Sequence, residues 1–186
     1  LIIFCCLGCR AEKEWTLASP DGTVRFVATQ VPEGEGTTIL QYSVYCGDSL
    51  VINPSRLGLV MDGIEYGKDA RPVGKAVVKT MNEPYELKAG KQLRTVNACR
   101  EMTIPFEGFQ LIVRAYDDGI AFRYAFTQED DGKQHTITDE LTEFLVPANG
   151  KAWIHPYDWN ERHKPSYEQY SKNGIAINTE ASHGRG

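Results

Sequence analysis

Residues 109–126 read FQLIVRAYDDGIAFRYAF, and the pattern of this stretch is the strongest structural signal in the chain. Alternate side chains are apolar in both halves, which is the period-2 pattern of β-strands with one buried face. Asp118 and Gly119 separate the halves, and an Asp-Gly pair accepts the positive φ angles of a tight turn. We therefore predict a β-hairpin that buries an aromatic face, with Arg114 and Arg123 projecting from the other face toward a carboxylate or a sugar.

Strand-like runs separated by turns continue on both sides of this hairpin. They are rich in Val, Ile, Thr and aromatic residues, and Gly, Pro, Asp and Asn lie between them. The predicted strands are 23–29, 38–45, 57–61, 76–80, 109–116, 120–126 and 136–146. Because no amphipathic helix precedes residue 160, this spacing indicates an all-β sandwich. The tail after Tyr170 is weakly patterned, and we expect it to be poorly ordered.

The composition is that of one globular domain of moderate size. The 186 residues are 41% apolar and 24% charged, which argues against a disordered chain. Lys and Arg total 20 against 25 for Asp and Glu, a net charge of −5 that disfavours nucleic acid as a partner. No stretch reaches the roughly 18 apolar residues of a membrane-spanning helix. A complete (β/α)8 barrel, which takes about 250 residues, does not fit this length.

The first residues resemble the end of an export signal. Residues 1–8 read LIIFCCLG, and Cys9 and a charged run follow at once. The ending at Cys9 is similar to a bacterial lipobox, so we expect an exported protein, either periplasmic or anchored on a membrane by a lipid on Cys9. An ordinary signal cleaved nearby and a buried apolar segment are the alternatives.

Cys46 and Cys99 are the two cysteines outside that first segment. No C-x-x-C pair occurs in the sequence, which excludes a zinc ribbon or a thioredoxin-type motif. A disulfide between the two and a pair of separate buried thiols both stay open, and we favour the separate thiols.

The clustered acidic residues between positions 117 and 143 have a structural explanation. Asp117 and Asp118, like the run at 129–131, precede Gly at turn positions, so we assign them to turn chemistry. The carboxylates of the stretch 136–146 are expected to be solvated or ion-paired: Asp139, Glu140 and Glu143.

Residues 151–170 read KAWIHPYDWNERHKPSYEQY and differ from the strands before them. Aromatic and polar side chains are mixed, and two prolines break regular structure, which is typical of a ligand-facing loop. We predict that His155, Trp159 and Asn160 contact a sugar. Aromatic side chains that cover the end of the sandwich, or pack on another domain, are the structural alternative.

The same loop contains candidate metal ligands. A transition-metal site built on His155 and His163 is disfavoured, because irregular loops often contain such residues by composition. A hard cation such as calcium prefers oxygen ligands, and Glu168 or Asp158 would supply one.

Five motifs in this order resemble the N-terminal domain of glycoside hydrolase family 97, the bacterial α-glucosidase and α-galactosidase family. They are Trp15 with SPDG at 19–22, SRLGL at 55–59, RAYDDGIAFRY at 114–124, DELTEF at 139–144 and YE at 167–168. The resemblance covers most of residues 15–170, and RAYDDGIAFRY is its most distinctive part.

The resemblance implies a β-super-sandwich of the galactose-mutarotase-like type packed on a C-terminal (β/α)8 barrel. The barrel would carry the catalytic carboxylates, with a Glu base in inverting members and an Asp nucleophile in retaining ones. A calcium ion near the sugar is also implied, and Glu168 matches the residue that this domain contributes to it. An oligosaccharide is the implied substrate.

We therefore expect an export remnant at 1–11, a sandwich domain at 12–170 and, at 171–186, a linker truncated before the barrel. Such a fragment lacks catalytic carboxylates and is expected to be inactive alone. The alternative is a stand-alone carbohydrate-binding module, with Trp153, Tyr157 and Trp159 stacking on sugars. A mutarotase-type epimerase is disfavoured, because the four histidines lie at turns or near the C-terminus.

Overall fold

The computed structural model describes residues 13–34, 36–91, 93–126, 132–154 and 172–177. No helix occurs among these residues, and none therefore has the length and apolar character needed to cross a bilayer. They divide into two compact units, the first ending at Phe144 and the second beginning at Leu145. The all-β fold class predicted from the sequence is confirmed, while the predicted domain boundaries stay predictions.

The described residues form thirteen strands: β1 (Lys13–Ala18), β2 (Val24–Pro32), β3 (Thr38–Cys46), β4 (Ser49–Leu57), β5 (Leu59–Met61), β6 (Ile64–Tyr66), β7 (Val77–Glu86), β8 (Arg94–Phe106), β9 (Phe109–Tyr116), β10 (Gly119–Phe126), β11 (Ile137–Glu140), β12 (Lys151–Ile154) and β13 (Lys172–Ala176). They build four sheets, with spatial orders β1-β2-β3-β4, β10-β9-β8-β7, β11-β5-β6 and β12-β13. All of the strand pairs are antiparallel.

The two four-stranded sheets pack face to face and enclose the core. Phe26 of β2 meets Phe122 of β10 at a ring-centroid distance of 6.4 Å, and Trp15 of β1 meets Phe106 of β8 at 5.5 Å. Other core side chains with no exposed area include Leu40, Leu57, Ile104, Leu111 and Val113. Burial of each such side chain stabilises the fold by about 1.5–3 kcal/mol. The predicted β-sandwich is confirmed.

The β9–β10 hairpin forms as its alternation predicts. Tyr116 pairs with Gly119 across the turn, and the register continues without a bulge to the pair of Phe109 and Phe126. Every second residue of β9 is buried, while the aromatic residues of β10 pack against the core. The hairpin therefore presents its polar residues, Arg114 and Arg123 among them, on the outer face of the sheet.

Strand β8 is the longest strand of the described residues, and it is absent from the predicted strands. Its apolar alternation is interrupted by Arg100 and Glu101, which made the segment unlike a half-buried strand. Glu101 is nevertheless buried, because cationic partners on both neighbouring strands neutralise it. Strands β1, β4, β6, β12 and β13 also fall outside the predicted runs.

The predicted strand at 136–146 is too long. Only Ile137–Glu140 pairs with β5, and the register shifts between Ile137 and Asp139. Beyond β11 the backbone bonds to the segment around the start of β5 instead: the N–H of Leu141 donates to the carbonyl of Gly58 at 2.9 Å, and that of Glu143 to Arg56 at 3.0 Å. These single bonds replace a regular ladder.

The expectation of a poorly ordered tail is wrong for Lys172–Ala176, which forms β13. Lys151 pairs with Ala176 and Ile154 with Lys172, with a register shift between Ala152 and Ile154. A local pattern is a poor guide to so short a strand, because its partner β12 supplies the hydrogen bonds.

Cys46 and Cys99 are both free thiols, which confirms the choice of separate thiols over a disulfide. Cys99 is buried, but Cys46 is exposed, so the expectation that both are buried is wrong for Cys46. Cys46 is the last residue of β3, next to the turn into β4, where less packing covers it.

Candidate functional site

A row of three charged residues crosses the outer face of the second sheet. Register places Lys79 of β7 opposite Glu101 of β8, and Glu101 opposite Arg114 of β9. Lys79 Nζ lies 2.9 Å from Glu101 Oε1, and Arg114 Nε lies 2.6 Å from Glu101 Oε2. Each carboxylate oxygen of Glu101 thus has its own cationic donor.

Glu101 is only 5% exposed, so its charge depends on these partners. Burial raises the pKa of Glu101, but the hydrogen bonds from Lys79 and Arg114 outweigh burial and hold the pKa below its usual value. The hydrogen bond with Glu101 in turn raises the pKa of Arg114. The row is therefore ionised at neutral pH and has a surplus of one positive charge.

A surface depression of about 390 Å³ lies beside this row, on the outer face of the β9–β10 hairpin. Its lining residues are Ile112, Arg114, Tyr116, Ala121, Phe122 and Arg123. The Tyr116 hydroxyl donates to Asn97 Oδ1 at 3.1 Å, which fixes the tyrosine side chain. This depression combines two guanidinium groups, a phenol and an apolar floor, and is thus able to hold a polar ligand.

The turn of the same hairpin is tied to the turn between β1 and β2. The N–H of Asp21 donates to Asp117 Oδ1 at 3.0 Å. The Asp21 carboxylate accepts from the Ser19 hydroxyl at 2.7 Å and from the N–H of Thr23 at 2.8 Å. These bonds, first among them the one from Ser19, lower the pKa of Asp21 to about 2. Asp117 lies in the hairpin turn as predicted, and its carboxylate bonds to the β1–β2 turn, which the sequence did not predict.

Of the three carboxylates expected to be solvated or ion-paired, Asp139 is exposed, and Glu140 and Glu143 accept backbone hydrogen bonds. Glu143 Oε2 accepts the N–H of Arg56 at 3.0 Å, and Glu140 Oε1 accepts the N–H of Thr142 at 3.1 Å. His135 Nδ1 lies 2.6 Å from Asp62 Oδ2 beside the β5–β6 turn. No group of three or more His, Cys, Asp or Glu side chains suited to a metal ion occurs among the described residues.

The site residues predicted from the sequence, His155, Trp159, Asn160 and Glu168, lie outside the described residues, as does Asp158. The described strands on either side define where that segment starts and ends. Ile154 of β12 is paired with Lys172 of β13, so the described residues on the two sides of 155–171 are neighbours in one two-stranded sheet. A 3.3 Å hydrogen bond from the N–H of Ile177 to the Gly150 carbonyl extends the pairing of these two strands.

Sequence reasoning found Arg114 and Arg123 but missed Lys79 and Glu101. The signal for Glu101 is the alternation of Met102, Ile104 and Phe106, which marks a strand and puts Glu101 on its other face. No local signal pairs Lys79 with Glu101, because their contact depends on the register of β7 against β8.

The profile of the family described as "Glycosyl-hydrolase 97 N-terminal" matches residues 17–183. The chain belongs to this family. The match confirms the resemblance seen in the five motifs, and it extends beyond them to include β13.

Relatives and solved structures place the glycosyl-hydrolase 97 N-terminal domain within longer proteins. A retaining alpha-galactosidase of Bacteroides thetaiotaomicron is 28% identical over 180 residues, which are 90% of this chain and 25% of that protein. A probable retaining alpha-galactosidase of Streptomyces bingchenggensis is 28% identical over 152 residues, 78% of this chain and 23% of that protein. This chain thus spans about a quarter of the length of these curated relatives.

A glycoside hydrolase family 97 enzyme from Pseudoalteromonas sp. strain K8, solved in complex with panose, matches with a TM-score of 0.65 and 25% identity. That match covers 77% of this chain and 23% of the enzyme. A beta-arabinopyranosidase structure matches with a TM-score of 0.76 over 92% of this chain and 28% of the other. The arabinopyranosidase is 23% identical to this chain, so this match supports the fold alone.

Proposed function

We propose that this chain is the substrate-site and barrel-docking domain of an exported bacterial hydrolase that cleaves α-glucosides or α-galactosides, and that it is inactive alone. Membership of the glycosyl-hydrolase 97 family over residues 17–183 carries this proposal. The α-galactosidase names of two relatives support an α-galactoside, and panose, an α-linked glucose trisaccharide, supports an α-glucoside.

In this proposal, residues 155–171 supply the domain's share of the sugar site. The described residues next to this segment, Ile154 of β12 and Lys172 of β13, are paired in one antiparallel sheet. Trp159 stacks on the apolar face of a sugar ring, and His155 and Asn160 hydrogen-bond to its hydroxyl groups.

Hydrolysis needs a pair of carboxyl groups on either side of the glycosidic bond. Several carboxylates of the described residues already have structural partners, including Asp21, Glu101 and Glu143. This supports a division of labour in which a barrel of the same parent protein supplies the acid and the base or nucleophile.

Calcium, when bound, would orient the substrate and stabilise charge near the scissile bond. The ion takes six to eight oxygen ligands, roughly, and the Glu168 carboxylate is a donor of the right kind. One carboxylate does not complete such a site, so the proposal assigns the remaining ligands to the barrel.

The test of activity compares this 186-residue chain with the complete parent protein on aryl α-galactosides and aryl α-glucosides. We expect hydrolysis by the parent and none by the chain alone. Enzyme-like turnover by the purified chain would contradict the division of labour, and failure of the parent on both substrates would contradict the α-glycosidase assignment.

Calcium binding is tested by titration calorimetry on the parent protein and its Glu168→Gln variant. We expect at least about tenfold weaker calcium binding in the variant, because one charged ligand is lost. Glu107→Gln is the matched control, since Glu107 is an exposed carboxylate at the β8–β9 turn. Equal calcium affinity of all three proteins would exclude Glu168 as a ligand.

Export and lipidation are tested by expression of the parent gene in a bacterium fed with a labelled fatty acid. We expect label in the native protein and in the Cys6→Ala variant, but none in the Cys9→Ala variant. Label that persists in Cys9→Ala would refute lipidation at Cys9, and a cytoplasmic product would refute export.

A stand-alone carbohydrate-binding module is the second candidate, favoured by Trp153. This tryptophan lies on β12 and is 65% exposed, which suits stacking on a sugar. Saturable maltose or galactose binding by the isolated chain, lost in Trp153→Ala, would favour the module. Protection of the Trp153 side chain from solvent only when the barrel is present would favour docking.

A further inference from the structure

We propose that the depression on the outer face of the β9–β10 hairpin binds a sugar unit that carries a carboxylate, as a uronic acid does. Arg114 and Arg123 bind the carboxylate, and the sugar ring packs on the surface between them. This inference uses residues of the first unit alone and does not depend on the proposed function.

Strand register creates the space between the two arginines. Arg114 lies opposite Ala121, and Arg123 lies opposite Ile112, so the arginines occupy diagonal corners of one four-residue patch. Diagonal neighbours on one face of an antiparallel pair are about 7–8 Å apart, within reach of long side chains. Ala121 is too small to fill its corner, and Ile112 gives the patch an apolar floor.

The volume of the depression suits a small ligand. It is about 390 Å³, at the lower end of the range for small-molecule sites. Tyr116 borders the depression and is fixed by its hydrogen bond to Asn97. An aromatic face beside an apolar floor is a suitable surface for the C–H face of a sugar ring.

The charge of the depression selects an anion. Lys79 and Arg114 together outweigh Glu101 by one positive charge, and no ion pair to Arg123 occurs within the part of the chain that the structure describes. The lining of the depression thus includes two arginines and no carboxylate, in a chain whose net charge is −5. The nearby Asp117 carboxylate is directed to the N–H of Asp21 by a 3.0 Å hydrogen bond.

The guanidinium groups also suit the shape of a carboxylate. Arginine presents a planar fork of donors that matches two carboxylate oxygens. Glu101 contacts Arg114 through Nε, and Tyr116 also hydrogen-bonds to this guanidinium, so both residues orient the group at the depression. Among the described residues no carboxylate makes such a contact with Arg123, and Arg123 is exposed.

The experiment titrates the ¹⁵N-labelled chain with D-galacturonate and D-glucuronate, and with D-galactose, D-glucose and acetate for comparison. We expect saturable amide shifts confined to residues 112–116 and 121–123 with at least one uronate, weakened by added salt. Neutral sugars and acetate are each expected to bind at least about tenfold more weakly than the uronate, because each provides only part of the contacts.

The variant Arg123→Ala is expected to bind the uronate about tenfold more weakly, and Arg123→Lys to recover part of the affinity. Arg94→Ala is the matched control, because Arg94 is a highly exposed arginine of the same sheet that does not line the depression. We expect the uronate affinity of Arg94→Ala to stay within about twofold of that of the native chain.

Three results would overturn the proposal: no saturable shift at these residues, equal affinity for uronate and the matching neutral sugar, or equal losses in Arg123→Ala and Arg94→Ala. Acetate binding as tight as uronate binding would also overturn it, because the sugar ring would then contribute nothing. The folded state of Arg123→Ala is checked by its urea midpoint.

Discussion

Arg114 Nε donates to Oε2 of Glu101 at 2.6 Å across the β8–β9 pair, and the receiving carboxylate is almost wholly buried. The bond has two consequences for the sheet. It compensates the loss of hydration at Glu101, and it holds one of the two guanidinium groups at the hairpin depression.

The variant Arg114→Met is expected to lower the free energy of unfolding by about 1–3 kcal/mol, because Glu101 stays buried with Lys79 as its remaining cationic partner. Urea unfolding measures the change. Arg94→Met, which breaks an exposed ion pair with Glu86, is expected to cost about 0–1 kcal/mol. Equal losses in the two variants would show that burial of Glu101 has no energetic consequence.

Asp21 is expected to make stability depend on pH in the acid range. Its pKa is about 2 in the folded chain against an ordinary value of 3.8, so the folded state binds this proton more weakly than the unfolded state. The resulting stabilisation is present above pH 3.8 and is lost as the pH falls toward 2.

Urea midpoints of the native chain and of Asp21→Asn at pH 6 and pH 2 test this expectation. The difference between the two proteins is expected to be largest at pH 6 and to shrink at pH 2. Other carboxylates titrate in both proteins and cancel in the comparison. A difference that is independent of pH would contradict the lowered pKa of Asp21.

Gly67→Ala is expected to destabilise the fold by about 2–4 kcal/mol. The φ angle of Gly67 is +102°, and a Cβ there would overlap the carbonyl oxygen of Leu57. Gly36→Ala is the control, because its φ is +77° but nothing lies within 4 Å of the added carbon. That control is expected to cost about 1 kcal/mol. Thermal or urea unfolding of both variants separates overlap from conformational strain.

Brief treatment with iodoacetamide under native conditions is expected to label Cys46 and leave Cys99 unmodified. Cys99 has no exposed area, whereas Cys46 is exposed, and alkylation requires access to the thiolate. Peptide mapping by mass spectrometry locates the label, and treatment in urea provides the fully labelled reference. Labelling of Cys99 as fast as Cys46 would show that the β7–β10 sheet opens readily.

The β9–β10 hairpin was predictable because its information is local. Alternating apolar residues define the buried face, and Asp118 and Gly119 define the turn, so no distant contact is needed. Strand β8 was only partly predictable in this way, because Met102, Ile104 and Phe106 alternate but Arg100 interrupts the pattern on their face. Its burial of Glu101 depends on Lys79 and Arg114, which come from two other strands.

The sequence alone determined the all-β class, the hairpin with its two outward arginines, and the motifs that indicate the family. These properties depend on period-2 alternation, turn residues and short motifs, which are all local in the chain. Tertiary structure decided the row of Lys79, Glu101 and Arg114, and the link between Asp21 and Asp117. Strand register and sheet packing bring these distant residues together, and both depend on the summed burial of the whole core rather than on any one segment.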